Sequence, residues 1–122
     1  MNSRIEPVRV GDRTLLVYPD RPGSLYEALV RTAERVPDRM ALSAETGSRT
    51  YGQLKRRVDE LSAYLAHSLA IRKGERIGLL FPNTMLFCEL MLASGRVGAI
   101  AVLLNAKLTA HEQQFILRHS GC

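Results

Sequence analysis

Four groups of residues have the types and spacing that could do chemistry. In "GSRTYGQLK" the glycines Gly47 and Gly52 are spaced as in a phosphate-binding loop. Such a loop needs Lys and then Ser or Thr directly after its second glycine, so that an ammonium meets the phosphates and a hydroxyl meets magnesium. Gln53 and Leu54 stand there instead, and a hairpin turn followed by a helix cap accounts for both glycines. Gly95-Arg96-Val97-Gly98 has the look of a dinucleotide fingerprint, but its glycines follow a helix and precede a strand, the reverse of the order that brings a pyrophosphate to a helix N-terminus. Helix C-capping explains them. Pro82-Asn83-Thr84 falls after a strand and before a helix. Ligands of open α/β sheets gather at such ends, which makes this turn the candidate for lining a substrate or cofactor cleft, with plain capping as the structural reading. His67, His111 and His119 lack the i, i+4 spacing that holds a metal on one helical face, and no Ser lies in a Gly-x-Ser-x-Gly elbow. No residue is therefore assigned a catalytic, cofactor-binding or metal-holding role.

Charge and composition narrow the classes further. Lys and Arg number 17 against 12 Asp and Glu, a net charge of +5 that would attract anions. The basic residues are scattered, however, and the one dense cluster, Lys55-Arg56-Arg57, is followed by Asp59 and Glu60, as on a solvated helix face. Nucleic-acid binding calls for a basic stripe with stacking aromatics, and aromatics make up 6% with no Trp, so no nucleic-acid partner is expected. Cys88 and Cys122 do not make a disulfide framework. No stretch approaches the length of a transmembrane span, and "MNSRIEPVRVGDRT" lacks the apolar core of a signal peptide, so a cytoplasmic location is expected.

The elements that would position these groups can be read from caps and periodicity. "RTLLVY" (13–18) is strand-like and sits in an N-terminal extension, 1–23. Ser24 and Glu27 form a capping box for a helix with Leu25, Leu29, Thr32 and Val36 on one face, stopped by Pro37. "MALSAETGSRTY" predicts a β-hairpin turning at Gly47. Thr50 and Gln53 cap a second helix whose stripe Leu54, Val58, Leu61, Leu65 and Leu69 marks one buried face, with Lys55, Arg56, Asp59, Glu60 and His67 opposite, so this helix should lie outside a layer. "ERIGLLF" and "AIAVLL" read as strands covered on both faces, joined by a helix apolar all round and closed by Gly95 and Gly98. Thr109 and Glu112 cap a last helix whose inner side continues through Phe115, Ile116 and His119. The fold class is α/β: a βαβ unit with parallel strands, a small hairpin and flanking helices.

From about Ser24 onward the chain resembles the N-terminal portion of the AMP-forming acyl-CoA synthetases, an adenylate-forming superfamily. The landmarks, in order, are Leu25-Tyr26-Glu27-Ala28-Leu29, Pro37-Asp38 with Ala41, Thr50-Tyr51-Gly52-Gln53-Leu54 and Gly74-Glu75-Arg76-Ile77-Gly78. Pro82-Asn83, Gly95 with Gly98-Ala99, Leu104-Asn105, Leu108-Thr109 and Glu112 follow. Val102-Leu103-Leu104-Asn105 departs from the family's usual Val-Pro-Leu-Asn. The resemblance implies that residues 24–122 are a truncated, incomplete part of a large N-terminal domain, with the sheet cut short after the last helix. It also implies ATP-driven activation of a carboxylic or fatty acid to acyl-adenylate and then acyl-CoA, with ATP, Mg and CoA as the full-length family's cofactors. The family's Ser/Thr/Gly-rich phosphate loop, acidic nucleotide motif and catalytic lysine lie downstream of the matched region. The chain alone is expected to hold no cofactor and to be inactive, its partner being the missing C-terminal part of a synthetase or another protein. A free-standing interaction module that docks on an intact synthetase is the alternative. Self-association through an exposed sheet edge is also expected.

Overall fold

The computed structural model describes residues 5–122. In chain order the elements are β1 (Glu6–Val10), β2 (Arg13–Val17), α1 (Leu25–Arg35), β3 (Met40–Ala44), β4 (Gly47–Thr50) and α2 (Tyr51–Ala63), which runs on into a π turn at Tyr64–Ser68. Then come β5 (Arg76–Leu80), α3 (Met85–Val97), β6 (Ile100–Leu104) and α4 (Ala110–Ser120). The strands form three two-stranded sheets: antiparallel β1–β2, antiparallel β3–β4, and parallel β5–β6 with Ile77 opposite Ala101 and Leu79 opposite Leu103. Helix α3 is the crossover between the parallel strands, as the apolar runs and the intervening helix predict.

The caps act where the sequence places them. Thr50 accepts from the Gln53 N–H while the Gln53 side chain accepts from the Thr50 N–H, and Thr109 and Glu112 repeat the exchange. At α1 only half of the box forms. Ser24 accepts from the Glu27 N–H at 3.0 Å, but the Glu27 carboxylate accepts from the Gly23 N–H at 2.6 Å, one residue further back.

Leu29, Leu54, Val58, Leu65 and Ala93 make the core, so α2 is packed between α1 and α3. Its outer face is solvated, as the sequence predicts, at Arg56, Glu60 and His67, which are exposed, while Lys55 and Asp59 are half-buried. The same side also meets both neighbouring helices through Asp59, which accepts from Tyr26 Oη of α1 at 2.6 Å and Arg96 Nη1 of α3, as well as from Lys55 Nζ of its own helix at 2.7 Å. The Arg96 guanidinium also lies 4.8 Å from the centre of the Tyr26 ring. Burial pushes the Asp59 carboxyl up, but the hydrogen bonds from Lys55 and Tyr26 and the charges of Arg96 and Lys55 outweigh it and hold the group below its ordinary value. The stability that Asp59 contributes through these contacts is thus whole above the unfolded aspartate value, about pH 4, and is lost as pH falls through the lower folded value. Asp59→Asn is expected to lower stability by about 1–2 kcal/mol at neutral pH. In urea unfolding followed from neutral pH into acid, the gap between wild type and variant should close as the wild-type carboxylate protonates.

Other faces also differ from the periodic reading. In α1 the buried residues are Leu29 and Ala33, with Tyr26 packed on the core, while Leu25 is exposed. The stripe of α2 ends at Leu65, because the π turn, closed by Leu69 N–H to Tyr64 C=O, adds a residue to the turn and rotates Leu69 into solvent. The parallel strands are not covered on both faces: Leu79 is buried, but Leu80, Ile100 and Leu103 are exposed. Helix α4 approaches through Leu117, whose Cδ2 lies 2.8 Å from where a Cβ on Gly78 would stand. Phe115 and His119 are not on its inner side; they stack on each other with centroids 5.6 Å apart, and Phe115 is 63% exposed. Residues 6–17 form a hairpin rather than one strand, since β1 pairs with β2.

Candidate functional site

The Pro82-Asn83-Thr84 turn stands where the sequence puts it, between the carboxyl end of β5 and the amino end of α3. A cleft of about 540 Å³ opens there, with Phe81, Phe87 and Leu103 as apolar wall and Asn83, Asn105 and Lys107 as polar groups. Both parallel strands deliver their carboxyl ends to it, the position at which open α/β sheets hold ligands. Asn105 shapes its own side of the cleft by accepting from the Lys107 N–H at 2.9 Å. Thr84 does not line this cleft: its hydroxyl accepts from the Phe87 N–H at 3.4 Å, and its side chain belongs to neighbouring cavities. The cleft offers an apolar surface with amide and ammonium groups, a setting for an amphipathic ligand, and no nucleophile with an adjacent base.

The other candidate groups separate in space. Gly47 closes the β3–β4 hairpin, and Gly52 opens α2 with its N–H donating to the Pro37 C=O at 2.9 Å. That is a turn followed by a helix start, not a phosphate cradle. Gly98 caps α3 in the left-handed conformation, whereas Gly95 lies inside the last turn of the helix. His67, on the π turn, borders a cavity of about 260 Å³ with Asp59 and Arg96. His111 begins α4 and His119 stacks on Phe115. Among the described residues no three His, Cys, Asp or Glu side chains come together to hold a metal ion. Among the described residues no helix is long and apolar enough to cross a membrane.

One buried charge escaped the sequence reading. Glu89, on α3, is 3% exposed, with Arg49 Nε 3.4 Å from its Oε1 and Arg57 Nε 3.5 Å from its Oε2. Its signal was available, since a carboxylate inside the apolar run 85–93 must be paired or else carry a large desolvation cost. The arginines that pair it come from β4 and from the Lys55-Arg56-Arg57 cluster, so that cluster is only partly a solvated face.

Comparison with known proteins matches residues 29–122 to the model of the AMP-binding enzyme family. Mitochondrial medium-chain acyl-CoA ligase ACSF2 of Pongo abelii is 37% identical over 98 residues, covering 79% of this chain and 16% of the relative. O-succinylbenzoate coenzyme A synthetase (MenE) of Bacillus subtilis, solved with AMP, superposes with a TM-score of 0.74 at 32% identity, over 80% of this chain and 25% of that one. The inhibitor-bound N-terminal domain of FACL13 from Mycobacterium tuberculosis gives 0.76 at 34% identity, with coverages of 80% and 25%. The chain thus spans between a sixth and a quarter of the length of these relatives. With its α/β elements in the order and pairing described, the chain belongs to the AMP-binding enzyme family and corresponds to the N-terminal portion of its acyl-CoA ligase members.

Proposed function

We propose that these residues form the opening layers of the large domain of an AMP-forming acid–CoA ligase and are catalytically silent by themselves. In the proposed reaction a carboxylic acid and ATP give an acyl-adenylate and pyrophosphate, and the acyl group then passes to the thiol of coenzyme A with release of AMP. The observation that carries the reading is the parallel β5–α3–β6 unit in the matched region, which presents a cleft at its strand ends. ATP, Mg and CoA would be held together with the rest of a synthetase, which is the proposed partner. Residues 24–122 are taken as the family's part and 1–23, with the β1–β2 hairpin, as an extension. A cytoplasmic place is part of the proposal and suits two free thiols, Cys88 and Cys122. The mitochondrial name of ACSF2 marks the other compartment that imaging of a tagged chain would reveal.

The purified 122-residue chain is expected to give no acid-dependent ATP–pyrophosphate exchange above background. Saturable exchange by the chain alone would overturn the proposal. The exposed Leu80, Ile100 and Leu103 favour a second reading, an interaction module that docks on an intact synthetase or on another copy of itself. Sedimentation distinguishes them: the module reading requires a discrete complex, and a monomer both alone and with an added synthetase would remove it.

A further inference from the structure

A separate cavity of about 480 Å³ lies where β4, α2 and the amino end of α3 meet. Its lining includes Thr46, Arg49, Arg57, Thr84, Met85 and Glu89. Glu89 meets both arginines through Nε, the inner edge of each guanidinium. Of the terminal nitrogens, Arg57 Nη1 donates to Glu60 Oε2 at 3.1 Å and Arg49 Nη1 to the Ser48 C=O at 3.4 Å. Among the described residues neither Nη2 has a partner. Thr84 takes the Phe87 N–H, and helix geometry leaves the N–H groups of Met85 and Leu86 with no partner inside α3. Two guanidiniums and one carboxylate line the cavity, Glu60 pairing with Arg57 from outside that lining, and the helix end adds positive potential. That combination selects an oxyanion.

Glu89 sets a second condition. Its Oε1 is buried and has no hydrogen-bond partner, so the cluster lacks a donor. Arg49 is more than one-third exposed and has room to turn its Nε away from Oε1 toward a ligand, which opens the acceptor. A sulfate or carboxylate would then set negative charge against an unpaired carboxylate oxygen. A phosphate that carries its own proton would donate to it, and a site with a buried acceptor discriminates strongly against ligands lacking the matching donor. We propose that this cavity binds a protonated phosphate group, as hydrogen phosphate or as the end of a phosphate monoester. Arg49 and Arg57 meet the charged oxygens, and Glu89 accepts from the P–O–H. The site is distinct from the strand-end cleft and does not rest on the ligase reading.

The test is an amide NMR titration of the 122-residue chain at about pH 6, where phosphate still carries a proton. Inorganic phosphate, phenyl phosphate and sulfate are compared at constant ionic strength. Saturable shifts centred on Met85 and Leu86 are expected with inorganic phosphate, and sulfate should bind at least about tenfold more weakly. Saturation by phenyl phosphate as well supports the site as one for esters; its absence supports it as one for the free ion. Arg49→Lys keeps the charge on a partly exposed side chain but loses the fork, and it should weaken phosphate about tenfold. Glu89→Gln should remove the preference over sulfate. Equal binding of sulfate and phosphate, scattered or non-saturating shifts, or unchanged affinity in Arg49→Lys would overturn the proposal. Because Arg49→Lys leaves the core untouched, its result decides the matter even if Glu89→Gln does not fold.

Discussion

The chain carrying Val58→Asp is expected to show no cooperative thermal transition. Val58 is 0% exposed, at the centre of a cluster made with Leu29, Leu54, Leu65 and Ala93. An ionised carboxylate there would carry a penalty of several kcal/mol even after relaxation. The transfer free energy of the lost side chain adds about 1–2 kcal/mol more. A domain's whole stability is about 5–15 kcal/mol, and this one leaves Leu80, Ile100 and Leu103 in solvent, so it should sit low in that range. Calorimetry and near-ultraviolet circular dichroism check the prediction. A sharp transition within a few degrees of the wild type would show that the three-helix cluster is not what holds the chain together.

The second large effect is expected at the junction of α3 and β6. Gly98 caps the helix at φ +82°, donating its N–H to the C=O groups of Ser94 and Gly95. Its own C=O accepts from the Gly74 N–H at 2.9 Å, which ties the start of β6 to the segment leading into β5. A side chain here meets two obstacles. The left-handed conformation costs an L-residue about 1–2 kcal/mol, and a β-branched residue more. A Cβ would also stand 3.0 Å from Lys73 Cγ and 3.3 Å from Lys73 Cβ. Gly98→Val should therefore destabilise by about 2–4 kcal/mol, and Gly98→Asn by markedly less, because Asn tolerates this conformation. Equal losses from both in chemical denaturation would contradict the conformational argument.

The fold was legible where local chemistry decides it. Thr50 with Gln53 and Thr109 with Glu112 announce helix starts through hydrogen bonds among residues three apart, and the structure forms both. The alternation of apolar runs with a capped helix likewise fixes β5–α3–β6, because parallel strands need such a crossover. Faces were less legible, since they depend on what lies opposite. Leu25 has helical spacing from Leu29 but finds no neighbour, whereas Tyr26 finds Asp59 and Arg96, thirty-three residues and more away. The spacing that leads to Leu69 assumes an unbroken α-helix, and a single π turn defeats it. β1 was hidden because Pro7 and Arg9 break up the apolar pattern, leaving the turn at Gly11 to join it to β2.

At the candidate site the turn Pro82-Asn83-Thr84 was legible, but its division between the strand-end cleft and the Arg49–Arg57 cavity, beside a third that Asn83 and Thr84 share, was not. That division comes from the direction of individual side chains at a helix start: Asn83 faces the strand ends, and Thr84 faces Arg49 and Arg57. Glu89 was missed for a related reason. Its burial depends on two arginines forty and thirty-two positions earlier in the sequence, brought together only when β4 and α2 pack on α3.

The central claim is that residues 24–122 are an interchangeable opening part of an acid–CoA ligase. The most direct measurement is acid-dependent ATP–pyrophosphate exchange by a chimera in which these residues replace the matching segment of MenE from Bacillus subtilis, to which they superpose with a TM-score of 0.74. The chimera is expected to exchange within about a hundredfold of intact MenE, because the family resemblance puts the triphosphate-binding groups downstream of the exchanged segment, where they need only the same supporting geometry. A chimera that folds with a cooperative transition, binds ATP and yet shows no exchange would contradict it.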